Sequence, residues 1–167
     1  MTRAIGSLVV AALVMTLTAC GDRGAQERSE TVQTPQATAA TPPPKPEVEV
    51  PEGDPPPELV IEDITVGRGR EAEAGDMVVV HYVGVSWSTR EEFDNSYDRG
   101  QPVPFQLVEG GLIQGWIEGI PGMRVGGRRK LTIPPHKGYG SSGRGPIAPD
   151  ETLVFIVDLV HAEAPQG

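Results

Sequence analysis

Few residues in this chain carry the usual catalytic groups, and those few lack the usual spacing. The three histidines, His81, His136 and His161, are scattered over strand-like and loop-like stretches without metal-ligand spacing. Ser141 and Ser142 have no G-x-S-x-G frame, which removes the main argument for a hydrolase. GYGSSG, Gly138 to Gly143, fits G-x-G-x-x-G, yet prolines follow where a helix should begin and no βαβ unit surrounds it. What remains is an aromatic set and one pair of opposite charges. Trp116 stands in LIQGWIEGI, residues 112 to 120, directly after Gly115. A tryptophan there is either the floor of a pocket or a core side chain. Tyr82 and Phe155 fall in strand patterns and read equally well as core. Asp94, followed by Asn95 and Ser96, has the chemistry of a turn or cap, and with Arg99 it can form an ordinary surface ion pair.

The elements that must position these residues are short. LVIEDITVG alternates loosely, DMVVVHYVGVSW is a strong β-branched and aromatic run, and PVPFQLV, RRKLTIP and TLVFIVDLVHAE complete about five strands. GRGREAEAG, YDRGQ and PPHKGYGSSGRGPIAPDE are turn material between them. One segment alone has helical spacing: Leu112, Trp116 and Ile120 recur every fourth residue, with Ile113 and Ile117 on a neighbouring stripe, and Pro121 ends it. So short a helix is marginal by itself, so packing must hold it. The expected architecture is α+β, one curled antiparallel sheet wrapped around a short helix. With the helix across the concave face, Gly115 would admit a neighbouring backbone and Trp116 would project between helix and sheet. The basic run GGRRK, Gly126 to Lys130, reads as the solvated face of a strand.

From about Glu58 to Ala162 the chain resembles the FKBP-type peptidyl-prolyl cis/trans isomerases, the immunophilins that bind tacrolimus and rapamycin. The likeness is carried in order by VVHYVG (residues 79–84), FDNSYDRGQPVPFQL (93–107), LIQGWIEGI, GMRVGGRRKLTIPPHKGYG (122–140) and IAPDETLVFIVDLV (147–160). It implies an FKBP-like half-barrel with a hydrophobic pocket. Trp116 would be its floor, Tyr82, Phe93, Ile113, Tyr139 and Phe155 its walls, with Leu112, Asp94, Arg99, Val103 and Ile147 around it. It also implies roles: Asp94 for electrostatics at the twisting amide, Tyr139 as a hydroxyl donor to a substrate carbonyl, Tyr82 beside them, and the Ile113 N–H for the substrate chain. No cofactor and no metal are implied. The partners implied are proline-containing segments of folding proteins, with tacrolimus or rapamycin-like macrolides as ligands. The alternative is a non-catalytic proline-binding module or holdase that uses the same pocket. Three departures stand out: Val103 replaces a common aromatic residue, VSWSTREE between Gly84 and Phe93 is one residue longer than usual and lacks the common Asp-Gly turn, and Arg144 sits in the loop over the pocket, where it would favour acidic neighbours of proline.

The remainder of the 167 residues sets the context. A formal charge of −9 argues against nucleic-acid binding. Arg3, an uncharged run from Ala4 to Ala19 and the single Cys20 form a signal-peptide layout, and LTAC resembles the bacterial lipobox, in which the cysteine is lipidated. The run is shorter than the roughly 20 residues of a spanning helix, so the expected membrane attachment is a lipid anchor, with the folded part outside the cytoplasm in the cell envelope. Residues 20–57, proline-rich and without aromatics, read as a disordered, partly polyproline II tether. The isomerase domain is expected over residues 58–163, with a short tail at 164–167. Without heptads or large apolar faces the expected state is a monomer.

Overall fold

The computed structural model describes residues 44–165. The expected signal peptide, the lipidated Cys20, the tether up to residue 43 and residues 166–167 of the expected tail lie outside the described residues. Among the described residues no helix is long and apolar enough to cross a membrane.

Six strands make one antiparallel sheet: β1 (Val60–Thr65), β2 (Met77–Ser86), β3 (Glu92–Asn95), β4 (Val103–Gln106), β5 (Arg128–Ile133) and β6 (Leu153–Glu163). Their spatial order is β1-β5-β6-β2-β3, with β4 paired to β2 as well. The curled sheet with one short helix is the expected architecture, with one strand more than the sequence pattern suggests. The addition is β3, whose four residues EFDN include two carboxylates and read as a turn. Pairing overrides that preference, because Gly84 stands opposite Asp94 and Val83 opposite Asn95 on the edge of β2.

β2 and β6 form the spine, matched from Met77 opposite Glu163 to Ser86 opposite Leu153. Side chains alternate between the sheet's faces. Val78, Val80 and Tyr82 of β2, Leu131 and Ile133 of β5, and Leu153, Phe155, Val157 and Leu159 of β6 share one core with Trp116 and Ile120. The other face is covered too. Val83, Val85, Val154 and Ile156 point away from that core yet are buried. Residues 44–57 carry no helix or strand, and Pro46, Val48 and Val50 are half-buried while Glu47 and Glu49 between them are exposed. Contact with the sheet therefore begins well before residue 58: the Arg128 guanidinium, on the outward face of β5, donates to the Pro44 carbonyl at 3.2 Å.

Helix α1 (Gln114–Gly119) has no side-chain cap at its start; the Ile113 carbonyl accepts from the N–H groups of Trp116 (3.0 Å) and Ile117 (3.4 Å). Two glycines seat it on β5. A Cβ at Gly115 would lie 2.5 Å from Ile133 Cγ2, and one at Gly119 2.7 Å from Leu131 Cδ2. The close neighbour at Gly115 is thus an isoleucine side chain rather than the backbone expected from the sequence. The far end of the helix is held by Arg129, whose Nη1 donates to the carbonyls of Gly119 (2.7 Å) and Pro121 (3.1 Å). Its Nε and Nη2 bind the Asp63 carboxylate on β1 at 2.7 and 3.0 Å.

This corrects the reading of GGRRK as a solvated strand face. Arg129 points to the core side of β5 and is 7% exposed, because the last carbonyls of α1 need a donor and a cation suits that end of the helix dipole. Arg128, one residue earlier, points outward and holds Asp158 through Nε at 2.7 Å. Replacing Arg129 by methionine keeps the apolar stem but strips two carbonyls and Asp63 of their donor. Equilibrium urea unfolding should then show a loss of about 3 kcal/mol. A loss below about 1 kcal/mol would mean that α1 is held by packing alone.

Candidate active site

Between α1, β2, β6 and the loop before β6 lies an open cleft of about 830 Å³. All three phenylalanines of the chain, two of its three tyrosines and one of its two tryptophans line it. Trp116 is at its base, 4% exposed. Three rings meet the indole edge-to-face: Tyr82 at 5.3 Å between centroids, Phe105 at 5.2 Å and Phe155 at 5.3 Å, with interplanar angles of 80–84°. Phe93 meets Phe155 the same way at 5.5 Å. This arrangement sets positive ring edges on negative faces, so the wall is ordered as well as apolar. Gly84 makes room for it, since a Cβ there would stand 2.7 Å from both Phe155 Cε1 and Phe93 Cζ. The indole Nε1–H is buried without an acceptor, the one such side-chain group among the described residues.

Polar groups stand at the rim. The Tyr82 hydroxyl donates to Asp94 Oδ2 at 2.6 Å and accepts from Arg99 Nη2 at 2.7 Å; Arg99 Nη1 donates to Asp94 Oδ1 at 2.7 Å. Burial would raise the Asp94 pKa, but the Tyr82 and Arg99 hydrogen bonds outweigh it and hold the carboxyl below its ordinary 3.8. The Tyr82 hydroxyl is pushed up to about 12, first by burial and then by its bond to Asp94. The triangle therefore carries one carboxylate and one guanidinium through the neutral range. Across the cleft, Tyr139 is half-buried with Arg144 over its ring, 5.5 Å from the centroid. Neither the Tyr139 hydroxyl nor the Ile113 N–H has an intramolecular acceptor among the described residues.

Of the residues expected from the sequence, Tyr82, Phe93, Asp94, Leu112, Ile113, Trp116, Tyr139, Ile147 and Phe155 all line this cleft. Two do not. Arg99 is bound to Asp94 and to the Tyr82 hydroxyl without lining the cleft itself, and Val103 stands opposite Val80 in the β2–β4 ladder. The aromatic ring missing at Val103 is supplied to the cleft two residues later by Phe105, which the sequence pattern did not single out. Its signal was the alternation of β4, where Val103 and Phe105 are half-buried and Pro104 and Gln106 exposed. His136 also lines the cleft, whereas His81 is buried against Tyr97 on the sheet's other face with its rings 4.6 Å apart. The altered segment after Gly84 is a hairpin that turns through Arg90 at φ 61 and places Trp87 outside the cleft. Its tip is tied to Glu151, which accepts from Ser88 N (2.9 Å) and Oγ (2.5 Å).

A carbon-detected NMR titration should show Asp94 titrating below 3.8. Its folded pKa is depressed, so the stability it contributes is fully present above the unfolded value and is lost as pH falls through the folded one. A midpoint above 3.8 would contradict the hydrogen-bonded triangle.

Comparison with known proteins places this geometry. The family model of the FKBP-type peptidyl-prolyl cis-trans isomerases matches residues 68–160. A probable FK506-binding protein of Corynebacterium glutamicum is 58% identical over 118 residues, 71% of this chain and 98% of its own. The FK506-binding protein of Streptomyces anulatus is 57% identical over 118 residues, 70% and 95% of the two chains. Among solved structures, FkpA from Escherichia coli superposes with a TM-score of 0.59 at 42% identity, covering 64% of this chain and 48% of its own, so the chain spans about half of that protein. AtFKBP13 gives 0.58 at 37% identity, covering 63% and 93%. With its curled sheet, its indole-floored cleft and a family match over more than half its length, the chain belongs to the FKBP-type peptidyl-prolyl cis-trans isomerases and is an enzyme of that class.

Proposed function

We propose that this enzyme accelerates X-Pro rotation in proteins outside the cytoplasm, by taking the bond out of water and binding its twisted form more tightly than its planar one. The open, indole-floored aromatic cleft is the observation that carries this reading. Amide resonance sets a barrier of about 18–20 kcal/mol to C–N rotation. Water stabilises the polar planar amide more than the twisted one, so an apolar cleft removes part of that stabilisation. A ten-thousandfold acceleration requires about 5.5 kcal/mol. No single polar contact need supply it. The proline ring sits on Trp116 between Phe93, Phe105, Phe155 and Tyr82. The Tyr139 hydroxyl and the Ile113 N–H donate to carbonyls flanking the bond, and the Asp94 carboxylate, fixed by Tyr82 and Arg99, sets the field at the rotating amide.

The cleft also suits tacrolimus, the FK506 for which the two bacterial relatives are named, and rapamycin-like macrolides. The pattern of residues 1–20 supports a lipid anchor at Cys20 and work at the cell envelope, and a sequence without heptads or large apolar faces supports a monomer. At the rim, the Asp94 charge is met by Arg99, which leaves Arg144 to act on the substrate. One unit charge about 6 Å away through water is worth about 0.7 kcal/mol. Glu-Pro peptides should therefore gain about threefold in kcat/KM relative to Leu-Pro peptides, and Arg144→Gln should erase the gain. Equal selectivity in both proteins would remove Arg144 from recognition.

The mechanism is tested by proline-limited refolding of a substrate protein. The unsubstituted chain should accelerate the slow phase, and Tyr139→Phe combined with Asp94→Ala should remove most of that effect, about a hundredfold in kcat/KM. A chain that binds tacrolimus yet leaves the slow phase unchanged would be a binding module, and the catalytic reading would fail.

A further inference from the structure

Asp94 and Arg99 bracket the Tyr82 hydroxyl, and only residues 95–98 separate them, so the shape of that short loop sets where both charged groups stand. Its hub is the Asn95 side chain, 8% exposed. Asn95 Nδ2 donates to Glu92 Oε1 and, at 2.8 Å, to Asp98 Oδ2, while its Oδ1 accepts the Asp98 N–H at 2.7 Å. Two carboxylates are thereby turned toward one neutral amide. Behind them the fully buried Ser96 clips the same tyrosine by its backbone: Tyr82 N donates to Ser96 Oγ at 2.9 Å and Ser96 N to Tyr82 O at 3.0 Å.

The cation facing this carboxylate pair comes from far away in sequence. Lys45 Nζ lies 3.1 Å from Glu92 Oε1 and 3.1 Å from each oxygen of Asp98. Its own backbone is held next door, where Arg128 Nη2 donates to the Pro44 carbonyl at 3.2 Å while Arg128 binds Asp158 on β6. The Asp98 carboxyl sits below its ordinary pKa, first through the Asn95 amide and then through Lys45.

We propose that Lys45 is a positioning residue for the isomerase: by joining Glu92 to Asp98 it holds the 92–98 loop in the form that presents Asp94 and Arg99 to Tyr82. An isolated exposed ion pair contributes little. Here, however, removing the cation leaves two like charges crowded on one side chain, and the loop relaxes by separating them. Lys45 touches neither cleft nor substrate, so its effect falls on turnover rather than on substrate binding.

The inference rests on the isomerase reading, and the test separates the two. In the full-length chain, Lys45→Ala should lower kcat about fivefold with KM within twofold. It should also broaden the amide resonances of residues 94–99 by microsecond-to-millisecond exchange, with those of residues 114–119 unchanged. Lys45→Arg, which keeps the charge, and Lys45→Ala with Asp98→Asn, which removes the repulsion, should both recover kcat. Quiet loop amides and parental kcat in Lys45→Ala would overturn the proposal. So would a loss that Asp98→Asn does not relieve and that spreads to the helix amides. A parent chain without isomerase activity would instead overturn the reading beneath it.

Discussion

A six-residue helix has too few internal hydrogen bonds to stand alone, and everything at the cleft depends on how β5 compensates for that. Ile133 and Leu131 press into the notches left by Gly115 and Gly119, and Arg129 satisfies the carbonyls at the helix end. Trp116 is thus fixed to the sheet rather than to the loops on either side of it. Burying a tryptophan removes about 150–250 Å² from water, worth about 4–6 kcal/mol. The unpartnered indole N–H costs about 1–3 kcal/mol. Packing wins, so the floor can keep an unsatisfied donor and still be among the most firmly held parts of the site.

The cleft combines two properties that usually compete, apolar walls and exposure to solvent. Edge-to-face contacts among Trp116, Tyr82, Phe105, Phe155 and Phe93 let the rings hold one another in place, so the wall does not collapse inward to bury itself. Charge stays at the rim, where Asp94 and Arg99 answer each other through the Tyr82 hydroxyl. An amide entering this space loses water without meeting an unpaired buried charge. For a reaction whose barrier is resonance in a polar ground state, that environment is the one the proposed mechanism requires.

The outward face of the sheet also bears on function. His81, Ser96, Tyr97, Asp158 and Arg128 form a polar layer there, with Tyr97 donating to Asp158 and His81 Nδ1 lying 3.0 Å from Ser96 Oγ. Burial lowers the His81 pKa below its ordinary 6.5, which favours a neutral ring under the loop that carries Asp94. Residues 44–50 run past this layer with alternate side chains turned inward. The two faces thus meet in β3, whose residues serve the cleft on one side and the outer layer on the other.

The main lines of fold and site were legible in the amino-acid order, for reasons of periodicity and residue type. Alternation and β-branched or aromatic runs between turn residues marked β1, β2, β4, β5 and β6, four-residue spacing and Pro121 bounded α1, and motif order identified the residues around Trp116. What it did not reveal depended on partners distant along the chain. EFDN is a strand because β2 offers it a free edge, and Arg129 is buried because a helix end lies across from it. Phe105 rather than Val103 reaches the cleft because the β2–β4 register sets which side chain arrives beside the indole. Lys45, in a segment whose composition resembles a tether, finds its carboxylates 47 and 53 positions away. Local order determines which residues are apolar, turn-forming or charged; only the closed tertiary contacts decide which of them meet, because burial and charge pairing act through space and not along the chain.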